Sequence, residues 1–227
     1  MENTSGFDFS RIMEDAKTVI TTPVHFYRNM PKTGGYAEPV VFVISIAVIA
    51  TIIFILSALL GGGHVAAAGL SAIIIMPIMM LIGSFFSAAI MFVIWKLMGS
   101  HHGYETAYRS VAWSMAVLPV TAVLSLIPFF GAVIPVLWGC YLMWVASTEV
   151  HGLNKQTSMI VFGVLAIIGI IFNLGAERSA REMQSRMEQF KQETGKSLEN
   201  LKNMSPEKAG EALGEFMKGM NKATGEN

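Results

Sequence analysis

The chain has 227 residues, 53% of them hydrophobic and only 14% charged, a balance too apolar for a water-soluble domain of this size. Its sixteen basic and sixteen acidic residues cancel, so no global field favours nucleic acid. A single cysteine, Cys140, excludes an internal disulfide framework and a clustered thiolate metal site. Between Pro39 and Ala176 only Lys96, Glu105, Arg109, Glu149 and Lys155 are charged, so the apolar surplus is expected to face lipid in an all-α integral membrane protein.

Residues 1–38 are too polar and acidic for a cleaved signal sequence, which leaves the first span to act as its own insertion signal. Within this segment Phe9, Ile12, Met13, Ala16, Val19 and Ile20 recur at helical spacing, with Asp8, Arg11, Asp15 and Lys17 between them. Such a helix is expected to lie at the membrane surface, either anchored by its apolar face or docked on the bundle, with a partner-binding role as the sharper alternative.

The first span is expected at about residues 39–60, which contain fifteen Val, Ile, Leu or Phe residues and reach roughly 33 Å at 1.5 Å per residue. A Gly61-Gly62-Gly63-His64 turn follows. The stretch 65–98 is read as one long helix, kinked at Pro77 and ending where Lys96 snorkels to the surface. Pro128-Phe129-Phe130-Gly131 divides the next apolar region into spans at 107–127 and 130–148, a tight membrane hairpin. A fifth span at 157–174 completes the membrane domain, 39–175. A charged amphipathic helical tail occupies 176–227.

In that tail Met183, Met187, Phe190, Thr194, Ser197, Leu201 and Met204 step by the heptad interval, which fits either a solvated helix or a self-associating coiled coil. Ser205-Pro206-Glu207 reads as the start of another helix through about Met220, weakened by its glycines. Arg11, Lys17, Arg28 and Lys32 precede the first span, Lys96 and Arg109 flank the second loop, and Lys155 marks the fourth. The first and third turns carry no Lys or Arg. The positive-inside tendency therefore places the N-terminus in the cytoplasm, and five spans place the C-terminus opposite, against the pull of Arg178, Arg181 and Arg186.

No catalytic, cofactor-binding or metal-ligating set is expected. The spans hold no His, Asp or Glu beside Ser84, Ser87, Ser114 or Cys140, so nucleophile and base are not paired, and no ionisable group suggests proton coupling. Gly83, Ser84, Ser87 and Ala88 suit close helix approach. Met76, Met79, Met80, His101 and His102 could suggest soft-metal transport, but methionine is common filler in apolar helices. Trp113, Trp138 and Trp144 read as belt or packing residues, and Trp95 as a belt residue beside Lys96.

Pro23-Val24-His25-Phe26-Tyr27, Pro39, Gly103-Tyr104, Tyr108, Pro119, Pro128, Trp138, Tyr141 and His151-Gly152-Leu153 occur in an order that resembles the Ypt-interacting protein (YIP) domain family. The likeness covers about residues 23–174 and implies a five-span fold with a cytoplasmic N-terminus. Eukaryotic members are implied to bind small GTPases and to act in vesicle traffic between endoplasmic reticulum and Golgi. The short N-terminus and the His151-Gly152-Leu153 loop look more like the prokaryotic branch, which implies a bacterial inner membrane. The expected function is a non-enzymatic membrane or assembly scaffold, with a homo-oligomeric channel or permease as the alternative. The expected partners are the lipid bilayer, further copies of the chain, and an unknown protein held through either amphipathic end.

Overall fold

The computed structural model of the protein describes residues 9–60, 69–124, 126–127, 129–203, 210 and 214. Among them the helices are α1 (Phe9–Thr21), α2 (Pro23–Asn29), α3 (Ala37–Leu60), α4 (Gly69–Leu97), α5 (Tyr104–Ser114), α6 (Leu118–Leu124), α7 (Phe130–Glu149) and α8 (Lys155–Asn203). Five stretches are long and apolar enough to cross a membrane: Ala37–Ser57, Ala72–Leu97, Tyr104–Leu124, Phe130–Glu149 and the apolar part of Lys155–Lys196. The protein is thus an all-helical, multi-pass membrane protein. The chain divides into a unit ending at Leu174 and a second beginning at Gly175.

Helix α3 starts at Ala37, two residues before the sequence-based expectation, because Pro39 tolerates the first turn, where its missing N–H has no helical partner. That start brings Glu38 into the positive end of the helix dipole. Helix α4 runs through Pro77 without ending; residues 61–68, including the expected Gly61–His64 turn, lie outside the described set. The third span starts at Tyr104 rather than at 107 and is not one helix. Met115–Val117 tightens to a 3-10 turn between α5 and α6, since Pro119 cannot donate to the Met115 carbonyl four residues back. Pro128 lies outside the described residues, and Phe129 beside it adopts φ 67°, turning the chain into α7.

The buried core lies among α3, α4, α5 and α7 and includes Phe42, Val43, Ile46, Trp95, Tyr108, Trp113 and Leu142. Ile74, Phe86, Ile90 and Phe172 face outward, as residues touching lipid must. Helix α1 packs on this core through Ile12, Ala16 and Val19, one face at spacings of four and three. Phe9 and Met13, on the adjoining stripe, are exposed.

The second unit begins within α8, which runs as helix to Asn203. Arg181 pairs with Glu177 one turn earlier. Met183, Met187 and Phe190 are exposed. The helix expected after Ser205 lies outside the described residues, Gly210 and Gly214 apart.

Docking of α1 predicts that Val19→Asp, which sets a carboxylate at a fully buried site, releases the helix. Limited trypsin cleavage at Arg11 and Lys17 in reconstituted protein should then accelerate severalfold over wild type; equal rates would mean that α1 is already free.

Candidate functional site

The start of α3, the end of α4, the start of α5, the end of α7 and the start of α8 meet at one end of the bundle, and the short α1 and α2 cover it. Every charged residue between Pro39 and Ala176 sits at that end. Helix α5 organises it. Residues 106–113 are all buried, and Glu105, Thr106 and Arg109 share the face turned toward the segment between α2 and α3.

Arg109 lies within this helix, in its second turn, with a side chain only 1% exposed, rather than acting as a loop charge. Its Nε donates to the Pro31 carbonyl at 2.8 Å, one Nη to the Gly35 carbonyl at 2.9 Å, and the other to Glu38 Oε2 at 2.7 Å. Thr106 donates to the Lys32 carbonyl at 2.9 Å, and Glu105 accepts the Gly35 N–H at 2.7 Å. The planar fork of arginine suits this task, as it donates in several fixed directions at once. Glu38 also accepts from Arg11 at 2.7 Å, so one carboxylate joins α1 to α5.

Arg28 of α2 pairs with Glu149 at the end of α7 at 2.8 Å, and buried Tyr27 donates to the Ser110 carbonyl at 3.1 Å. Burial pushes the Tyr27 phenol above its ordinary range, so it stays a donor. Phe26 packs edge-on against Trp113, and Pro23 is buried at the start of α2. Tyr104 donates to the Phe85 carbonyl at 2.8 Å, while Tyr108 stacks on Phe85 with centroids 4.2 Å apart and meets Ser84 at 3.4 Å. Gly103 lies in extended backbone immediately before α5.

A second cluster closes the same end. Trp95 is fully buried, so it is not the lipid-facing belt residue expected from its place beside Lys96; its indole donates to Ser147 Oγ at 2.7 Å and stacks on His151 at 4.0 Å. A tryptophan near a span end serves the belt only if its ring meets lipid, and α7 covers this one. Ser100 Oγ lies 2.8 Å from His151 Nδ1. Gly152 supplies the left-handed backbone (φ 64°) that turns the chain toward α8. His101 and His102 stand in a loop, not on a helix. Among the described residues, no three His, Cys, Asp or Glu side chains group as metal ligands.

The Yip1 domain matches residues 17–176, about the whole span from α1 through the last membrane crossing. The chain belongs to the Yip1 family. No curated protein and no solved structure matches it. Of the resemblance positions, Pro23, Phe26, Tyr27, Pro39, Gly103, Tyr104, Tyr108, His151 and Gly152 gather at the charged end of the Yip1 domain. Pro119 lies in α6, and Trp138 and Tyr141 lie on the outer face of α7, apart from that cluster. Arg109, Glu38, Glu105, Ser100 and Ser147 were not singled out as site residues. The available signal was an arginine four residues after a glutamate at the start of an otherwise apolar span.

Removing Glu38 strands a buried guanidinium, which costs about 3 kcal/mol where the pair is sealed and somewhat less at a partly open carboxylate. Glu38→Ala should therefore lower the thermal midpoint in detergent clearly, whereas Arg11→Ala, truncating a side chain 67% exposed, should cost under about 1 kcal/mol. Equal effects would show that the α1 contact, not Arg109, carries the clamp.

Burial, reinforced by His102, Lys32 and Lys96, lowers the His151 pKa from 6.5 to about 3, and His102 is lowered mainly by burial. The unfolded chain therefore binds protons that the folded one refuses. Stability is full above pH 6.5 and declines as pH falls toward about 3, by up to about 1.4 kcal/mol per pH unit from His151. Denaturant midpoints of wild type should fall between about pH 7 and pH 5, with a shallower slope in His151→Gln; parallel slopes would place the titration elsewhere.

Proposed function

We propose that this Yip1 protein is a non-enzymatic scaffold of the bacterial inner membrane, with its charged end in the cytoplasm. One observation carries the reading: α2 and the following segment are fastened over one end of the spans by bonds from Tyr27, Arg28 and Arg109, and α1 by its apolar face and the Arg11–Glu38 pair. Arg109 is consumed by two carbonyls and Glu38, and Glu149 by Arg28, so these groups hold a platform rather than a substrate. Ser100 and His151 stand within hydrogen-bond reach, but both are buried and the imidazole is stacked on Trp95, so the pair packs the bundle end rather than facing a substrate. Orientation follows from Lys96, Arg109, Lys155 and the N-terminal cations sharing that end, as the positive-inside tendency favours.

The platform offers a protein partner the outer faces of α1 and α2. The small-GTPase contact implied for eukaryotic relatives would use the same surface. A pore, the rival reading, would have to form between copies, because Phe42, Ile46, Trp113 and Leu142 fill the interior of one bundle.

The test is photo-crosslinking from Met13 and Lys17 in intact cells, beside solute-flux assays on proteoliposomes. A crosslinked protein of defined mass, lost in Glu38→Ala while expression is kept, supports the platform. Reproducible flux with no crosslinked species would overturn it in favour of the channel.

A further inference from the structure

Helices α7 and α8 touch at two levels and part between them. At the charged end the Trp144 indole donates to the Lys155 carbonyl at 3.2 Å. Fourteen residues further along α8, roughly 21 Å at 1.5 Å per residue, a Cβ on Gly169 would stand 2.8 Å from Val136, so there the helices meet closely. Between these points a Cβ on Gly163 would meet nothing within 4 Å. The gap is a lateral furrow of about 210 Å³ lined by Leu137, Cys140, Tyr141, Phe162, Gly163 and Ala166, and it shares Leu137 and Tyr141 with a second one of about 500 Å³ beside Ile134 and Trp138.

The furrow's cation lies at its mouth, where a phospholipid carries its phosphate. At its mouth the Lys155 ammonium lies 5.6 Å from the Trp144 ring, and among the described residues no carboxylate stands within 4.0 Å of it. One turn deeper the Tyr141 ring lies 5.9 Å from Trp144, and among the described residues no group hydrogen-bonds its hydroxyl. Trp138 follows at 5.9 Å, eleven residues or roughly 16 Å from the end of α7, too deep for an interface belt. A phenol left unbonded at the edge of the hydrocarbon is costly.

We propose that this furrow is a binding site for one anionic glycerophospholipid, its phosphate at Lys155, its ester carbonyls accepting from Tyr141, and an acyl chain along Leu137, Phe162, Gly163 and Ala166. The vertical order of cation, hydroxyl and apolar walls matches the order of phosphate, ester and chain in one leaflet.

The experiment uses full-length protein extracted from vesicles of phosphatidylcholine and brominated phosphatidylglycerol, then exchanged into detergent. Retained lipid is counted by mass spectrometry and by quenching of tryptophan fluorescence, to which buried Trp95 and Trp113 are shielded. Wild type should retain phosphatidylglycerol over phosphatidylcholine. Gly163→Leu, which fills open space with a better helix former, should retain severalfold less at an unchanged melting temperature. Lys155→Gln should abolish the preference for the anionic lipid. Wild type without retained lipid, or Gly163→Leu retaining as much as wild type, overturns the site. So does efficient crosslinking of Cys140 between copies in the membrane, since a partner helix would then occupy the furrow.

Discussion

A guanidinium shut away from water must be answered on every side, and much of this protein is arranged to answer one. Arg109 reaches Pro31, Gly35 and Glu38 at once, so the segment between α2 and α3 is drawn onto α5. Glu38 can serve only because α3 begins early enough to include it, which Pro39 permits. Its second oxygen then takes Arg11, and α1 is tied to the same point. The apolar docking of Ile12, Ala16 and Val19 and the ionic clamp thus reinforce each other: dispersion holds the helix down, and charge sets where it lies.

The same economy explains why the bundle's two ends differ. The spans leave no charged residue between Pro39 and Ala176 except at the clamped end. At the other end the hairpin before α7 presents Leu126, Ile127, Phe129 and Phe130 outward. Backbone groups in hydrocarbon must be satisfied internally, so helices carry the crossing, while side-chain polarity collects where water is within reach. The Trp95, Ser147, His151 and Ser100 cluster marks the limit of that reach. Its histidine is held neutral by burial among cations and contributes packing and a hydrogen bond rather than charge.

Much of the resemblance acquires a physical reason here. Tyr27 and Tyr104 each donate to the backbone of another helix, Gly103 opens α5, and Gly152 makes a turn that side-chain-bearing residues resist. Trp138 and Tyr141 belong to the outer wall of α7 instead. Two tryptophans changed meaning once neighbours were in place: Trp95 proved to be enclosed, and Trp138 to stand exposed at mid-span. Position along a helix indicates depth, but not whether another helix covers the ring.

The all-helical class, the crossings and the crowding of charge into particular loops were determined by the sequence alone, because each follows from local hydropathy summed over about 20 residues. The Yip1 kinship was likewise legible, in the order of scattered Pro, Gly, Tyr and His residues. Only the tertiary structure decided that Arg109 is buried, that Glu38 answers it, and that α1 docks on the core through one stripe and leaves another bare. It also decided that α7 and α8 part around Gly163. These depend on which helix faces meet, and in a uniformly apolar span the sequence carries little rotational signal, since lipid and protein core accept the same side chains.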